Sequence, residues 1–105
     1  NGDSVAPALR LRQGEAHRLR FVSIGIANRP LFTLTRDSLP VRWRPLAKDG
    51  QDLPAARSVP GPARVALAAG EIADVEFTPD LPGTYELSAV WQGVTFWRQR
   101  IEVVP

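Results

Sequence analysis

Apolar side chains recur at every second position along most of this chain, and seldom at the three- and four-residue spacing of a helix face. In ALRLRQ, residues 8–13, Leu9 and Leu11 share one face and Arg10 and Arg12 the other. The Gln13-Gly14 turn leads into EAHRLRFVSI, residues 15–24, where Leu19 and Phe21 point one way and Arg18 and Arg20 the other. The two segments read as a strand pair with one wet face. LFTLT, residues 31–35, follows the Arg29-Pro30 break, and VRWRPLA, residues 41–47, alternates Val41 and Trp43 with Arg42 and Arg44. Trp43 belongs inside, because large aromatics in alternating strands are usually buried. Pro45 removes a ladder donor and so marks an edge or a bulge, and Asp49-Gly50 supplies the positive φ of a tight turn.

Beyond that turn, residues 51–62 hold three prolines and few apolar side chains, which predicts a surface loop with a short helical turn near 55–57. ARVALAA (63–69), EIADVEF (71–77), GTYELSAVW (83–91) and VTFWRQRIEVV (94–104) return to period two. Gln92-Gly93 joins the last two as a two-residue hairpin. Ten prolines and eight glycines interrupt the chain too often for long helices. The pattern predicts an all-β protein of about seven or eight strands, a Greek-key β-sandwich or barrel. At 105 residues it forms a single domain, 1–105, able to bury a two-layer core without staples.

Composition narrows the chemistry. Without cysteine there is no disulfide, no thiolate nucleophile and no thiolate metal ligand, and there is no methionine either. Nothing approaches the length of a membrane span. Because it begins at Asn1 and lacks a charged-then-apolar leader, the chain reads as a processed form or a module of a larger chain. The net charge of +2 hides an asymmetry: residues 1–48 carry nine positive and three negative side chains, residues 49–105 four and eight. The halves attract each other.

Four segments, HRLRFVSIG (17–25), KDGQDLP (48–54), AAGEIADVEF (68–77) and LPGTYEL (81–87), together resemble the cupredoxin domains of multicopper oxidases, above all the middle domain that carries no copper. Their order and spacing are similar over most of the chain. The resemblance implies a cupredoxin-like Greek-key sandwich, a periplasmic or secreted location, and copper held in neighbouring cupredoxin domains of a larger parent. In copper-bearing members the strand after Gly-Thr-Tyr carries a His-Cys-His or His-x-His run. Here those positions are Ser88, Ala89 and Val90, and hydroxyl or methyl groups cannot replace imidazole and thiolate donors. The resemblance therefore implies a domain with no catalytic, cofactor or metal residue of its own, which spaces and orients neighbours.

Other chemistry finds little footing. His17 is the one histidine, so a metal at that point would need carboxylates brought by folding, and a surface or capping role is expected. Ser4, Ser23, Ser38, Ser58 and Ser88 lack a nucleophile-elbow context. Glu71, Asp74 and Glu76 could do acid–base work, yet Asp74 and Glu76 share one strand face, where a solvated role is expected. Four arginine pairs at spacing two, Arg10/Arg12, Arg18/Arg20, Arg42/Arg44 and Arg98/Arg100, would form one stripe if their strands were neighbours. With the interleaved aromatics on the opposite face, these arginines are expected to be solvated or acid-paired, with no specific nucleic-acid partner. The alternative to a positioning module is a stand-alone β-sandwich that binds a carbohydrate or protein. The candidate interaction surface comprises Arg42, Arg44, Trp91, Phe96 and Trp97.

Overall fold

The computed structural model describes residues 8–23 and 29–105. Ser4, and Ile24 at the end of the second expected strand, lie outside the described residues. Among the described residues eleven strands form two sheets: β1 (Leu9–Arg12), β2 (His17–Val22), β3 (Leu31–Arg36), β4 (Leu39–Pro40), β5 (Arg42–Lys48), β6 (Gln51–Asp52), β7 (Gly61–Pro62), β8 (Arg64–Ala66), β9 (Ile72–Phe77), β10 (Gly83–Trp91) and β11 (Val94–Val104). Three of them are two-residue bridges, and the other eight match the expected count. The only helical piece among the described residues is a 3-10 turn at Ala55–Arg57, inside the expected surface loop.

The larger sheet runs β1-β11-β10-β3-β4, with β8 also on β3; the smaller runs β2-β9-β5-β6, with β7 also on β5. The chain crosses between sheets from β1 to β2, β2 to β3, β4 to β5, β7 to β8, β8 to β9 and β9 to β10, the connectivity of a Greek-key sandwich. One expectation is corrected here. β1 and β2 do not pair: β1 lies parallel to β11 in one sheet, and β2 lies antiparallel to β9 in the other. The Gln13-Gly14 turn is a crossover, tied by Gln13 N–H to the Val104 carbonyl and by Gly14 N–H to that of Pro79. Leu11 and Leu19 therefore reach the core from opposite layers.

Between the sheets pack Phe21, Leu34, Trp43, Leu67, Val75, Phe77, Tyr85, Leu87, Ile101 and Val103. Trp43 is buried as expected, its ring 5.3 Å from that of Phe21. Pro45 sits at a register break in the β5–β9 pairing, and Asp49 (φ 51°) and Gly50 (φ 82°) form the turn that closes β5 on β6. At the start of β10 a corner is fastened from both sides. The Tyr85 hydroxyl donates to the Leu81 carbonyl at 2.7 Å, and Arg36 donates to the Pro82 carbonyl with its guanidinium 5.9 Å from the Tyr85 ring centroid. Gly83 takes φ 126° there, a conformation other residues avoid.

The outer face of the smaller sheet carries a charge ladder. β9 is central, and its acids meet arginines from both neighbours. Arg18 Nε donates to Asp74 Oδ2 at 2.7 Å, Arg20 Nε to Oδ1 at 3.0 Å, and Arg44 Nε to Glu76 Oε1 at 3.3 Å. Asp74 is thereby 2% exposed, which corrects the expected solvated role; its arginines remain 53% and 61% exposed. The paired arginines, Arg20 foremost, hold the Asp74 carboxyl below its ordinary pKa despite the opposing effect of burial.

Two outcomes follow. Tyr85→Phe leaves the Leu81 carbonyl without its donor and should lower stability by about 1 kcal/mol, read from the urea midpoint; an unchanged midpoint would contradict the corner. Asp74→Asn should cost about 1–2 kcal/mol at neutral pH, discounted because the arginines can rehydrate. A depressed folded-state pKa contributes stability above the unfolded carboxyl value and loses it as pH falls through the folded one, so the gap between wild type and Asp74→Asn should close below about pH 4. A gap that stays constant down to acid pH would contradict the ionised ladder.

Candidate functional site

The acids able in principle to do acid–base work are engaged elsewhere. Glu71 accepts from the Ala68 N–H at 2.6 Å and from Lys48 Nζ at 3.0 Å, which hold its carboxyl below its ordinary pKa. With Asp74 also depressed, neither is poised as a proton donor near neutrality. His17 Nε2 lies 3.3 Å from both the N and the O of Arg12, a local contact beside the crossover turn. Among the described residues no group of three or more His, Cys, Asp or Glu side chains could hold a metal ion. At the positions after Gly-Thr-Tyr, Ser88 Oγ sits 2.9 Å from Thr33 Oγ1, while Ala89 is buried on the opposite face of the strand.

Nor do the arginine pairs make one stripe. Arg10/Arg12 and Arg98/Arg100 belong to paired strands of the larger sheet, Arg18/Arg20 and Arg42/Arg44 to strands flanking β9 in the smaller. Several are engaged locally: Arg98 lies 3.7 Å from Glu86 and Arg100 3.0 Å from Glu102, while Arg42 donates to the Pro60 carbonyl.

A concavity lies at the other end of the candidate surface. β10 and β11 form a hairpin closed by Gln92 (φ 50°) and Gly93 (φ 78°), the two-residue turn expected. Ala89 faces Trp97 across this hairpin, but Val90 faces Thr95, so Phe96 is an extra residue on β11. Such a bulge breaks the alternation of faces. Phe96 and Trp97, consecutive in the chain, consequently line the same groove of about 470 Å³. Its other walls are Phe32 of β3, Ala89 of β10 and the end of β2 from Arg20 through Val22, continuing to Ser23.

The groove is aromatic but not flat. Phe32 meets Trp97 edge-on, with centroids 6.4 Å apart and planes at 63°, and Phe21 tilts 35° from Phe32. Phe96 is 57% and Trp97 40% exposed, and Val94 and Trp91 of the same hairpin are also exposed. The structure therefore unites Phe96 and Trp97 in one site and leaves Trp91 beside it at the hairpin tip. Arg42 and Arg44 lie apart, on β5, beyond β9 from the groove wall. Ser23 was overlooked as a groove residue by sequence reasoning. The signal for the bulge was present in two adjacent aromatics, Phe96-Trp97, within an alternating strand.

No family model and no curated protein sequence matches the chain. Solved structures do. A multicopper oxidase superposes with a TM-score of 0.71 at 15% identity over 91% of this chain and 32% of its own. The blue copper oxidase of Nitrosomonas europaea gives 0.72 at 21% identity over 91% and 30%, and the multicopper oxidase of Pediococcus acidilactici 0.68 at 7% over 97% and 22%. The chain thus spans a third or less of these proteins. The fold is a cupredoxin-like β-sandwich, as the segment resemblance implied.

Proposed function

We propose that this is a copper-free cupredoxin-like module, of middle-domain type, which positions neighbouring domains in a periplasmic or secreted multicopper-oxidase-like protein. Catalysis belongs to the parent chain, not to this domain. The observation that carries the reading is the hairpin end, where Trp91, Val94, Phe96 and Trp97 are all exposed beside an open aromatic groove. Contiguous apolar surface of this kind marks an interaction site in a soluble protein. The coverage of 22–32% of each solved oxidase chain is what one module of several would give. The donor set supports the copper-free part, since Ser88, Ala89 and Val90 supply neither imidazole nor thiolate.

The same groove also favours a second reading, a stand-alone binding module, and here its geometry discriminates. Sugar platforms need coplanar exposed rings, whereas Phe32 and Trp97 stand at 63°. A protein partner suits an edge-on, partly enclosed set of aromatics better.

Expressed without its neighbours, the domain should take up no stoichiometric copper and develop no blue-copper charge-transfer band; one tightly held copper per chain would contradict the reading. Mixed with the remainder of its natural chain, it should associate, and Trp97→Ala should weaken that association by at least about tenfold, as expected of a central aromatic contact. Association that is indifferent to Trp97→Ala would place the contact elsewhere.

A further inference from the structure

β2 is an edge of the smaller sheet, and among the described residues no strand lies on its free side. The other edges are shorter: β4 and β6 have two residues each and β1 has four. β2 pairs with β9 over six residues in unbroken register and holds no proline, so it lacks the bulge and the proline that usually blunt an edge. Its ladder fixes which backbone groups face outward. Ser23 N–H donates to the Glu71 carbonyl and the Ser23 carbonyl accepts from Gly70 N–H, so Ser23 turns both groups to the β9 side. In an antiparallel ladder this direction alternates, and the regular register from His17 to Val22 carries the alternation along the strand. Arg18, Arg20 and Val22 therefore present N–H and C=O groups to the free edge.

The apolar groove runs along this edge. Four consecutive residues, Arg20 to Ser23, line it, which an alternating strand allows where its backbone edge forms the wall. The other walls include Phe32, Phe96 and Trp97. An open strand edge beside apolar walls fits an extended peptide, whose backbone pairs with the edge while every second side chain enters the groove. A compact apolar ligand would use the walls and leave the edge unpaired. Charge narrows the sequence of that peptide. Its remaining side chains would stand beside Arg18 and Arg20, which are 53% and 61% exposed and share the one carboxylate of Asp74. Acids are favourable there, whereas a second copy of this chain would set arginine against arginine.

We propose that the free edge of β2 is a strand-addition site, where an extended segment of a neighbouring domain pairs with Arg20 and Val22, its apolar side chains against Phe96 and Trp97 and its acidic ones beside Arg18 and Arg20. The inference rests on reading the hairpin end as a docking surface and adds the form and sequence pattern of what docks. The smaller sheet gains a strand, and the groove is closed by that strand's inner face.

The test titrates the 105-residue chain with a capped peptide alternating valine and glutamate, following backbone amide and tryptophan indole resonances. Arg20, Val22 and the Trp97 indole should shift, and exchange of the Arg20 and Val22 amides should slow. Two isomers of the peptide, N-methylated at every glutamate or at every valine, remove the donors of one edge or the other. One of them should bind about tenfold more weakly or worse and the other should keep its affinity, the loss falling on the glutamate isomer for an antiparallel strand and on the valine isomer for a parallel one. Lysine in place of glutamate should weaken binding about 3-fold. Equal behaviour of the two N-methyl isomers would overturn strand addition and leave the docking surface standing, since side chains alone would then hold the peptide. Equal binding of the lysine peptide would overturn the acidic pattern. Shifts of Arg20 and Val22 that grow with protein concentration before any peptide is added would assign the edge to a second copy and overturn the neighbouring-domain strand. Absence of any shift at millimolar peptide would overturn strand addition, while the docking surface would still be judged by association with the remainder of the natural chain.

Discussion

The register of β10 is the constraint on which the rest of this molecule depends. This strand lies between β3 and β11, and its inward side chains, Tyr85, Leu87 and Ala89, face Leu34 and Phe32 on one side and Ile101 and Trp97 on the other. A slip of one residue would turn all of them outward. The Tyr85–Leu81 hydrogen bond and the Arg36–Pro82 contact pin its beginning, where the chain arrives from the smaller sheet. At its far end the bulge opposite Ala89 and Val90 shifts the register before the last two pairs and brings Phe96 into the same groove as Trp97. One strand thus sets both the core and the shape of the exposed groove.

The second sheet is ordered by charge as well as by burial. Its central strand, β9, places Val75 and Phe77 in the core and Asp74 and Glu76 on the outer face, and arginines arrive from β2 and β5. Because Asp74 is enclosed by Arg18 and Arg20, these charges are spent within the fold. The same arrangement weakens two functional readings at once. It holds Asp74 in ion pairs and divides the arginines between two outer faces, which leaves the uncharged hairpin end as the distinctive surface.

Much of this was legible from period two alone. The eight main strands, the Asp49-Gly50 and Gln92-Gly93 turns, the break at Pro45 and the burial of Trp43 follow from rules that act within a few residues. What was not legible depends on partners distant in sequence. Nothing local distinguishes a hairpin from a crossover at Gln13-Gly14; the outcome is decided by β11 and β9, which claim β1 and β2 separately. The enclosure of Asp74 likewise requires β2 beside β9, some fifty residues later. Phe96 and Trp97 were recognisable as exposed aromatics, but their shared groove needed the bulge, and Ser23 needed the groove.

The central proposal is that the β10–β11 hairpin is a contact surface of a larger protein. Hydrogen–deuterium exchange of the peptide spanning residues 92–98 measures this directly, comparing the 105-residue domain with the natural chain that contains it. Docking onto a neighbour should slow exchange in this peptide while leaving β5, which lies beyond β9 from the groove, unchanged. Equal exchange in both proteins would contradict the claim, and with it the role of this domain as a spacer between others.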